Sequence, residues 1–173
     1  LRIILITIGI LVEQPTHSTP TKFPNLALLI PMLAAMAAIT PLAIDMYLPA
    51  MSVISSDFST DITLVQQSLS LYLAGYALGM LTFGPIADKI GRRPLVLVGL
   101  IGFALISLAI SMSQSIEVFL GLRFLQAFIG AAATVVIPGY IKEVYGENTA
   151  KGMSYVSLIM MLAPLIAPTI GSF

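Results

Sequence analysis

The sequence has 173 residues, of which 58% are hydrophobic and only 9% are charged, with eight basic and eight acidic side chains. Soluble domains carry about 25% charged residues, so this chain has too few polar side chains to cover a surface exposed to water. The zero net charge disfavours nucleic acid as a partner, and the absence of cysteine excludes disulfides and thiolate metal sites. We therefore expect a helical integral membrane protein.

The first 25 residues differ from the rest of the chain. The apolar stretch "IILITIGILV" has ten residues, too few to cross a bilayer, and no A-x-A cleavage motif follows it. We interpret residues 1–25 as a non-spanning extension on the cytoplasmic side that need not belong to the native protein. His17 lies in its polar part, where a lone histidine is expected to be solvated rather than to bind a metal.

Five long intervals without charge follow. A spanning helix needs about 20 mostly apolar residues, and the intervals predict helices at about 27–51, 62–87, 94–113, 116–140 and 152–173. Residues 26–173 would thus form a partial transmembrane bundle. Because the fifth interval reaches Phe173, we expect the chain to be part of a longer membrane protein.

The connections between these helices alternate in charge. Lysine and arginine precede the first helix and follow the second and fourth, whereas the loops after the first and third contain only acidic residues. Positive residues concentrate in cytoplasmic loops. The pattern predicts a multi-pass protein of the inner (plasma) membrane with a cytoplasmic N-terminus.

Two ionisable residues fall inside predicted spans. Asp45 near the end of the first helix and Arg123 near the start of the fourth lie roughly two turns inside the outer boundary, at a rise of ~1.5 Å per residue. Opposite charges at one depth could pair, and charges in a membrane usually face a bundle interior or a wet cavity. With Tyr47 and Gln126, which lie close by in the sequence, they form a candidate proton-coupling and substrate cavity. The alternative is that Asp45 lies in the outer interface and extends to water.

Smaller features predict packing and caps. Gly75 and Gly79 form a GxxxG pair, which lets helix backbones approach closely in lipid. Asp61 has the position and chemistry of a helix N-cap. Prolines that tend to bend helices interrupt the apolar runs at Pro31, Pro41, Pro138, Pro164 and Pro168.

The densest cluster of charge is "GPIADKIGRRP", residues 84–94, in the predicted cytoplasmic connection between the second and third helices. This stretch resembles the signature G-x-x-x-D-[RK]-x-G-R-[RK] of the major facilitator superfamily. The matching residues are Gly84, Asp88, Lys89, Gly91, Arg92 and Arg93.

Two other segments resemble one branch of that superfamily. "PLAIDMYLPAM" and "LRFLQAFIGAAATVV" are similar to segments of the bicyclomycin-resistance (Bcr/CflA) type of drug:proton antiporter. Where that branch typically has Arg-Asp after the fourth helix, this chain has Lys142 and Glu143, which keeps the charges but replaces a forked guanidinium by a point charge.

"APLIAPTIGS" resembles the antiporter motif of the fifth helix, with Pro164, Pro168 and Gly171 in place. The chain departs from that pattern at Ala167 and Ser172, where glycine is usual. These two residues put close packing of this helix in doubt.

The resemblance implies an all-α fold, the N-terminal five helices of a 6+6 helix bundle with an incomplete first half. It implies multidrug or small-molecule efflux by proton antiport, with small apolar or amphipathic substrates, the proton gradient as energy source and no cofactor. Asp45 would load and release the proton, and Arg123 would favour its ionised form. Alone the chain would be inactive, because it lacks the C-terminal half-bundle.

Alternatives remain within the membrane class: a proton symporter of sugars or metabolites from the same superfamily, or a membrane scaffold that does not transport. An enzyme is disfavoured, because the sequence has no metal cluster and no nucleophile–base constellation.

The cytoplasmic signature carries a second hypothesis, that of a conformational latch. Asp88 lies near the negative end of a helix dipole and needs a positive partner, either Arg92 or a helix N-terminus in the other half-bundle. Arg92 or Arg93 could instead reach Glu143. The simpler alternative is that these bases only fix the topology.

Overall fold

The structure is a computed structural model that describes residues 26–171, with side chains described for 30–158, 160 and 161; the predicted extension 1–25 lies outside the described residues. The described part consists of helices and turns without strands, which confirms the predicted all-α fold. The helices are α1 (Leu26–Asp45), α2 (Met51–Asp57), α3 (Ile62–Ile90), α4 (Arg92–Ser111), α5 (Ile116–Thr134), α6 (Ile137–Tyr145) and α7 (Thr149–Gly171), with a 3-10 turn at Gly146–Asn148 before α7.

Three segments of the described chain are long and apolar enough to cross a membrane: Ile62–Ile90, Arg92–Ser111 and Ile116–Leu158. The part of α1 whose side chains are described, Ile30–Asp45, is apolar but shorter. Helices α1 and α7 have 20 and 23 residues, the length that a bilayer crossing requires.

Prolines set two helix ends that the sequence placed elsewhere. The first predicted helix extended to residue 51, but α1 ends at Asp45, because Pro49 has no N–H to donate to the Asp45 carbonyl. The fourth predicted span ran unbroken to 140, but the structure divides it at Val135 and Val136 into α5 and α6. Pro138 cannot donate to the carbonyl of Thr134, which ends α5 there.

The connection between α3 and α4 is a single residue. Helices predicted to end at residue 87 and to begin at residue 94 left a connection at 88–93, but α3 continues to Ile90 and α4 begins at Arg92. Gly91 joins them with φ +95°, a conformation that side chains rarely allow, so one glycine suffices to reverse the chain. The signature residues therefore lie on helix ends, with Gly84, Asp88 and Lys89 on α3 and Arg92 and Arg93 on α4.

Glycines bring the central helices into backbone contact. A Cβ atom at Gly75 would lie 2.3 Å from the Phe124 carbonyl oxygen, and one at Gly79 would lie 2.5 Å from the Phe128 carbonyl oxygen. These contacts confirm that the GxxxG pair packs α3 on α5. Gly99 does the same for α4 on α5, since a Cβ there would lie 2.6 Å from the Ala133 nitrogen. Helix α1 packs mainly on α7.

Asp61 caps the start of α3. Its Oδ1 accepts a hydrogen bond of 3.1 Å from the Thr63 backbone N–H, which confirms the predicted N-cap. Hydrogen bonding from the Thr63 side chain, together with this backbone hydrogen bond, lowers the pKa of the exposed Asp61 carboxyl. A lowered pKa in the folded state means that the cap stabilises α3 at neutral pH and is lost as the pH falls through that pKa.

The backbone contact at Gly79 yields a test of the packing. Replacing Gly79 by alanine puts a methyl group into the Phe128 carbonyl and the Ala131 methyl, 2.5 and 2.6 Å away. Overpacking of this kind costs about 1–3 kcal/mol, so SDS titration followed by circular dichroism should show a lower free energy of unfolding for Gly79→Ala. The control is Gly84→Ala on the same helix, where the nearest atom is 3.9 Å away. Equal stability of the two variants would contradict the backbone contact.

Candidate functional site

A partly buried cation lies at the end of the bundle that carries Asp61. The Arg123 Cζ atom on α5 is 4.1 Å from the ring centroid of Tyr47, 5.8 Å from that of Tyr72 and 5.7 Å from that of Phe119. Aromatic faces attract a guanidinium through cation–π interactions, most strongly where water is excluded. We call these three rings and the arginine the aromatic cluster; it places a positive charge inside the bundle.

Hydrogen bonds to its hydroxyl and stacking on its ring fix the side chain of Tyr47. It lies in the turn after α1, and its hydroxyl oxygen is 2.7 Å from Ser68 Oγ and 3.0 Å from the Val65 carbonyl oxygen on α3. Its ring stacks on Phe119, with centroids 6.1 Å apart and planes at 28°. Since only 6% of the residue is exposed, the ring is fixed over the guanidinium.

A chain of hydrogen bonds links Arg123 to α4. Its Nη1 donates to Gln126 Oε1 at 3.2 Å, and Gln126 Nε2 donates to Ser107 Oγ at 2.7 Å. Ser107 in turn donates to the Phe103 carbonyl oxygen at 2.7 Å. The Arg123 Nε atom is buried and has no acceptor among the described residues. Buried donors are nearly always satisfied in proteins, so this group is available for a further acceptor.

A narrow, partly open crevice lies beside the guanidinium. It has no room for a water molecule. Its walls come from the end of α1, the following turn, α3 and α5, namely Ala43, Ile44, Tyr47, Ser68, Leu69, Tyr72 and Arg123. The described residues contain no cluster of His, Cys, Asp or Glu that could hold a metal ion. The polar and aromatic groups that line this crevice are a guanidinium, hydroxyls and rings.

Asp45 and Arg123, which the sequence suggested as a pair, form no ion pair among the described residues. Asp45 is the last residue of α1, two positions before Tyr47, and is partly exposed. Across the described part of the chain, the ion pair found is that of Arg92 with Glu143, and none connects Asp45 to Arg123. The ring of Tyr47 lies over the guanidinium, where the sequence suggested the carboxylate of Asp45.

The opposite end of the bundle, which carries Gly91, holds the signature residues. Arg92 Nη1 lies 2.9 Å from Glu143 Oε2, and its Cζ atom is 5.7 Å from the ring centroid of Tyr140. Of the two bases that the sequence allowed as partners of Glu143, the structure selects Arg92. Asp88 is exposed and has no ion-pair partner within 4.0 Å among the described residues.

The remaining predicted residues lie apart from these contacts. Lys89, Arg93 and Lys142 are exposed at the Gly91 end. Pro164, Pro168 and Gly171 lie on α7, in the part whose side chains are not described.

Sequence reasoning missed four residues of the site. Ser107 and Ser68 are hydroxyls in apolar helices, and their polarity is a signal that could have indicated an interior position. Tyr72 and Phe119 gave no signal, because an aromatic residue in a span can equally well face lipid. Their role depends on the rotation of α3 and α5 about their own axes, which a local sequence pattern does not determine.

Comparison with known proteins identifies the fold family. The model of the Major Facilitator Superfamily matches residues 33–173. A bicyclomycin resistance protein homolog of Haemophilus influenzae is 37% identical over 142 residues, which cover 82% of this chain and 36% of that protein. A chloramphenicol resistance protein of Pseudomonas aeruginosa is 33% identical over 150 residues, 86% of this chain and 36% of that protein.

The multidrug transporter MdfA of Yersinia pestis is 34% identical over 164 residues, which cover 92% of this chain and 39% of that protein. The chain thus spans a little over a third of the length of these curated relatives. It is a multi-pass membrane protein, as its apolar helices require. The chain belongs to the major facilitator superfamily, a family of transporters rather than enzymes.

Proposed function

We propose that this chain is part of a longer transporter that exports small apolar or amphipathic compounds across the inner membrane in exchange for protons. Its relatives are named for resistance to bicyclomycin or chloramphenicol or for multidrug transport. Because the chain covers only a little over a third of their length, the transport cycle would need a second half-bundle against which this one moves.

The observation that carries this proposal is the partly buried guanidinium of Arg123, whose buried Nε donor has no acceptor among the described residues. A charge at membrane depth is costly, and such residues usually mark a substrate or ion pathway. The rings around it offer the flat apolar faces that aromatic compounds stack on. A substrate with a hydrogen-bond acceptor could satisfy Nε and replace one of the rings.

Asp45 is proposed to carry the proton. In the described conformation Tyr47 covers the guanidinium at 4.1 Å. If the Tyr47 ring moves aside, the ionised carboxylate of Asp45 can approach Arg123, and their attraction would be strong because the interior has a low dielectric constant. The protonated carboxyl would lack that attraction and leave the arginine to Tyr47. A substrate that displaces the Tyr47 ring would let the ionised carboxylate approach Arg123, so that substrate binding favours release of the proton.

The first test removes the proton carrier. In a full-length transporter that contains this segment, Asp45→Asn should abolish proton release on addition of substrate, measured in inverted vesicles with a pH dye. Coupling between two ligands typically corresponds to a factor of ~5–150 in affinity. The change in apparent substrate affinity between low and high pH should therefore be at least about fivefold smaller in Asp45→Asn.

Asp57→Asn is the matched control, an exposed acid on α2 near the same end, and it should leave coupling intact. Unchanged proton release by Asp45→Asn would refute the role of Asp45. Uptake rather than efflux driven by the gradient would favour the symporter, and gradient-independent behaviour would favour a passive or scaffold role.

The second test concerns the hydrogen bonds that orient Arg123. Ser107→Ala leaves the buried Gln126 amide without its acceptor, which costs about 1–3 kcal/mol. We expect lower stability and weaker substrate-driven efflux, because Gln126 no longer fixes the guanidinium. Ser111→Ala on the same helix is the control, since its hydroxyl is exposed and bonds only to the Leu108 carbonyl. Equal efflux by both variants would contradict an orienting role of Ser107.

At the Gly91 end, Asp88 is proposed to act as a conformational latch together with the signature bases. It is exposed near the end of α3, where the helix dipole disfavours a negative charge unless a positive group approaches. Asp88→Asn should shift the balance of inward- and outward-open states, measured by cysteine accessibility from each side, and should lower transport. Lys89→Gln removes one base of the signature and tests the simpler alternative, in which these bases only fix the membrane topology. A normal balance and normal transport in Asp88→Asn would exclude the latch.

A further inference from the structure

Gly139 on α6 lies directly against the guanidinium of Arg92. A Cβ atom built on Gly139 would be 2.7 Å from Arg92 Cζ, 2.8 Å from Nε and 2.9 Å from Nη2. All three distances are shorter than real Cβ contacts allow. The flat face of the guanidinium therefore rests on the helix backbone at the one position of α6 that is a glycine.

Two further contacts of Arg92 lie on the same short helix. Its Cζ atom is 5.7 Å from the Tyr140 ring centroid, and its Nη1 is 2.9 Å from Glu143 Oε2. Positions 139 and 143 are four residues apart and so lie on one face of α6. The side chains of Arg92 and Glu143 are 34% and 37% exposed, and ion pairs so open to water contribute little stability unless their geometry is favourable.

We propose that Gly139 is a positioning residue: the absence of its side chain lets Arg92 lie flat on α6 and so fixes the Arg92–Glu143 ion pair. This pair holds α6, the part of the span after the break at Val135 and Val136, to the first turn of α4. Gly91 contributes from the other side, because its φ of +95° sets where Arg92 begins α4. The proposal concerns this chain alone and does not depend on the substrate or on protons.

The chemistry of arginine explains why a glycine is needed. A guanidinium is planar and makes two-pronged contacts in a fixed geometry, whereas a lysine ammonium is a compact charge on a flexible stem. A methyl group at position 139 would lift the plane of the guanidinium away from α6 and from the carboxylate. It would not obstruct a lysine to the same extent.

The test is a double-mutant cycle between positions 139 and 92. The full chain is reconstituted in lipid nanodiscs, and hydrogen exchange of the α6 amides is followed by mass spectrometry. Gly139→Ala should accelerate exchange in α6 severalfold in the Arg92 background. In the R92K background the same change should alter the exchange rate by less than about twofold. The effects of the two substitutions would then be clearly non-additive, as expected for residues in contact.

The direction of the effect distinguishes the proposal from helix propensity. Glycine to alanine in a helix normally stabilises it, so Gly121→Ala on α5, where no atom lies within 4 Å of a new Cβ, should not accelerate exchange. Glu143→Gln should accelerate exchange in α6 as Gly139→Ala does, and the two changes together should add nothing. Slower or unchanged exchange in Gly139→Ala, or equal acceleration in both backgrounds, would overturn the proposal.

Discussion

The burial of one guanidinium constrains the rest of this bundle. Arg123 is surrounded by rings from three different parts of the chain, and its hydrogen bonds continue through Gln126 to α4. A charge inside an apolar bundle must be compensated by dipoles, rings or an opposite charge. Helices α1, α3, α4 and α5 must therefore all reach the depth of this charge. The polar side chains of Ser68 on α3 and Ser107 on α4 lie at that depth, where this compensation is needed.

The packing that stabilises the fold also positions this charge. Gly75 touches the carbonyl of Phe124, the residue next to Arg123, so the closest approach of α3 and α5 lies beside the site. Tyr72 and Ser68 are three and seven residues before Gly75 on the same helix and are carried to the arginine by that contact. Structure and function thus share a helix pair, and a substitution that separates α3 from α5 would disturb both.

Local features of the sequence were sufficient for much of the fold. Charge-free intervals predicted the apolar helices, the spacing of Gly75 and Gly79 predicted a close helix contact without its partner, and the side chain of Asp61 predicted its own cap. These features depend on neighbours in the sequence or on the bilayer. The position of Tyr47 over Arg123 could not be predicted in this way, since it depends on a turn after α1 and on hydrogen-bond partners on α3 that are 18 and 21 residues away. The same holds for Gly139, whose role appears only when α6 is placed against the start of α4.

The single-residue link at Gly91 limits the insertions and deletions that this part of the chain can accept. In a longer loop an inserted or deleted residue is absorbed by slack, but here both neighbours of Gly91 are already helical. Deleting one residue from the last turn of α3 would rotate Gly91 by about 100° around the helix axis, because a helix has 3.6 residues per turn. Helix α4 would then leave in another direction, and Arg92 would no longer face α6. The number of residues between Gly79 and Gly91 is therefore as strictly constrained as the identity of any side chain in the bundle.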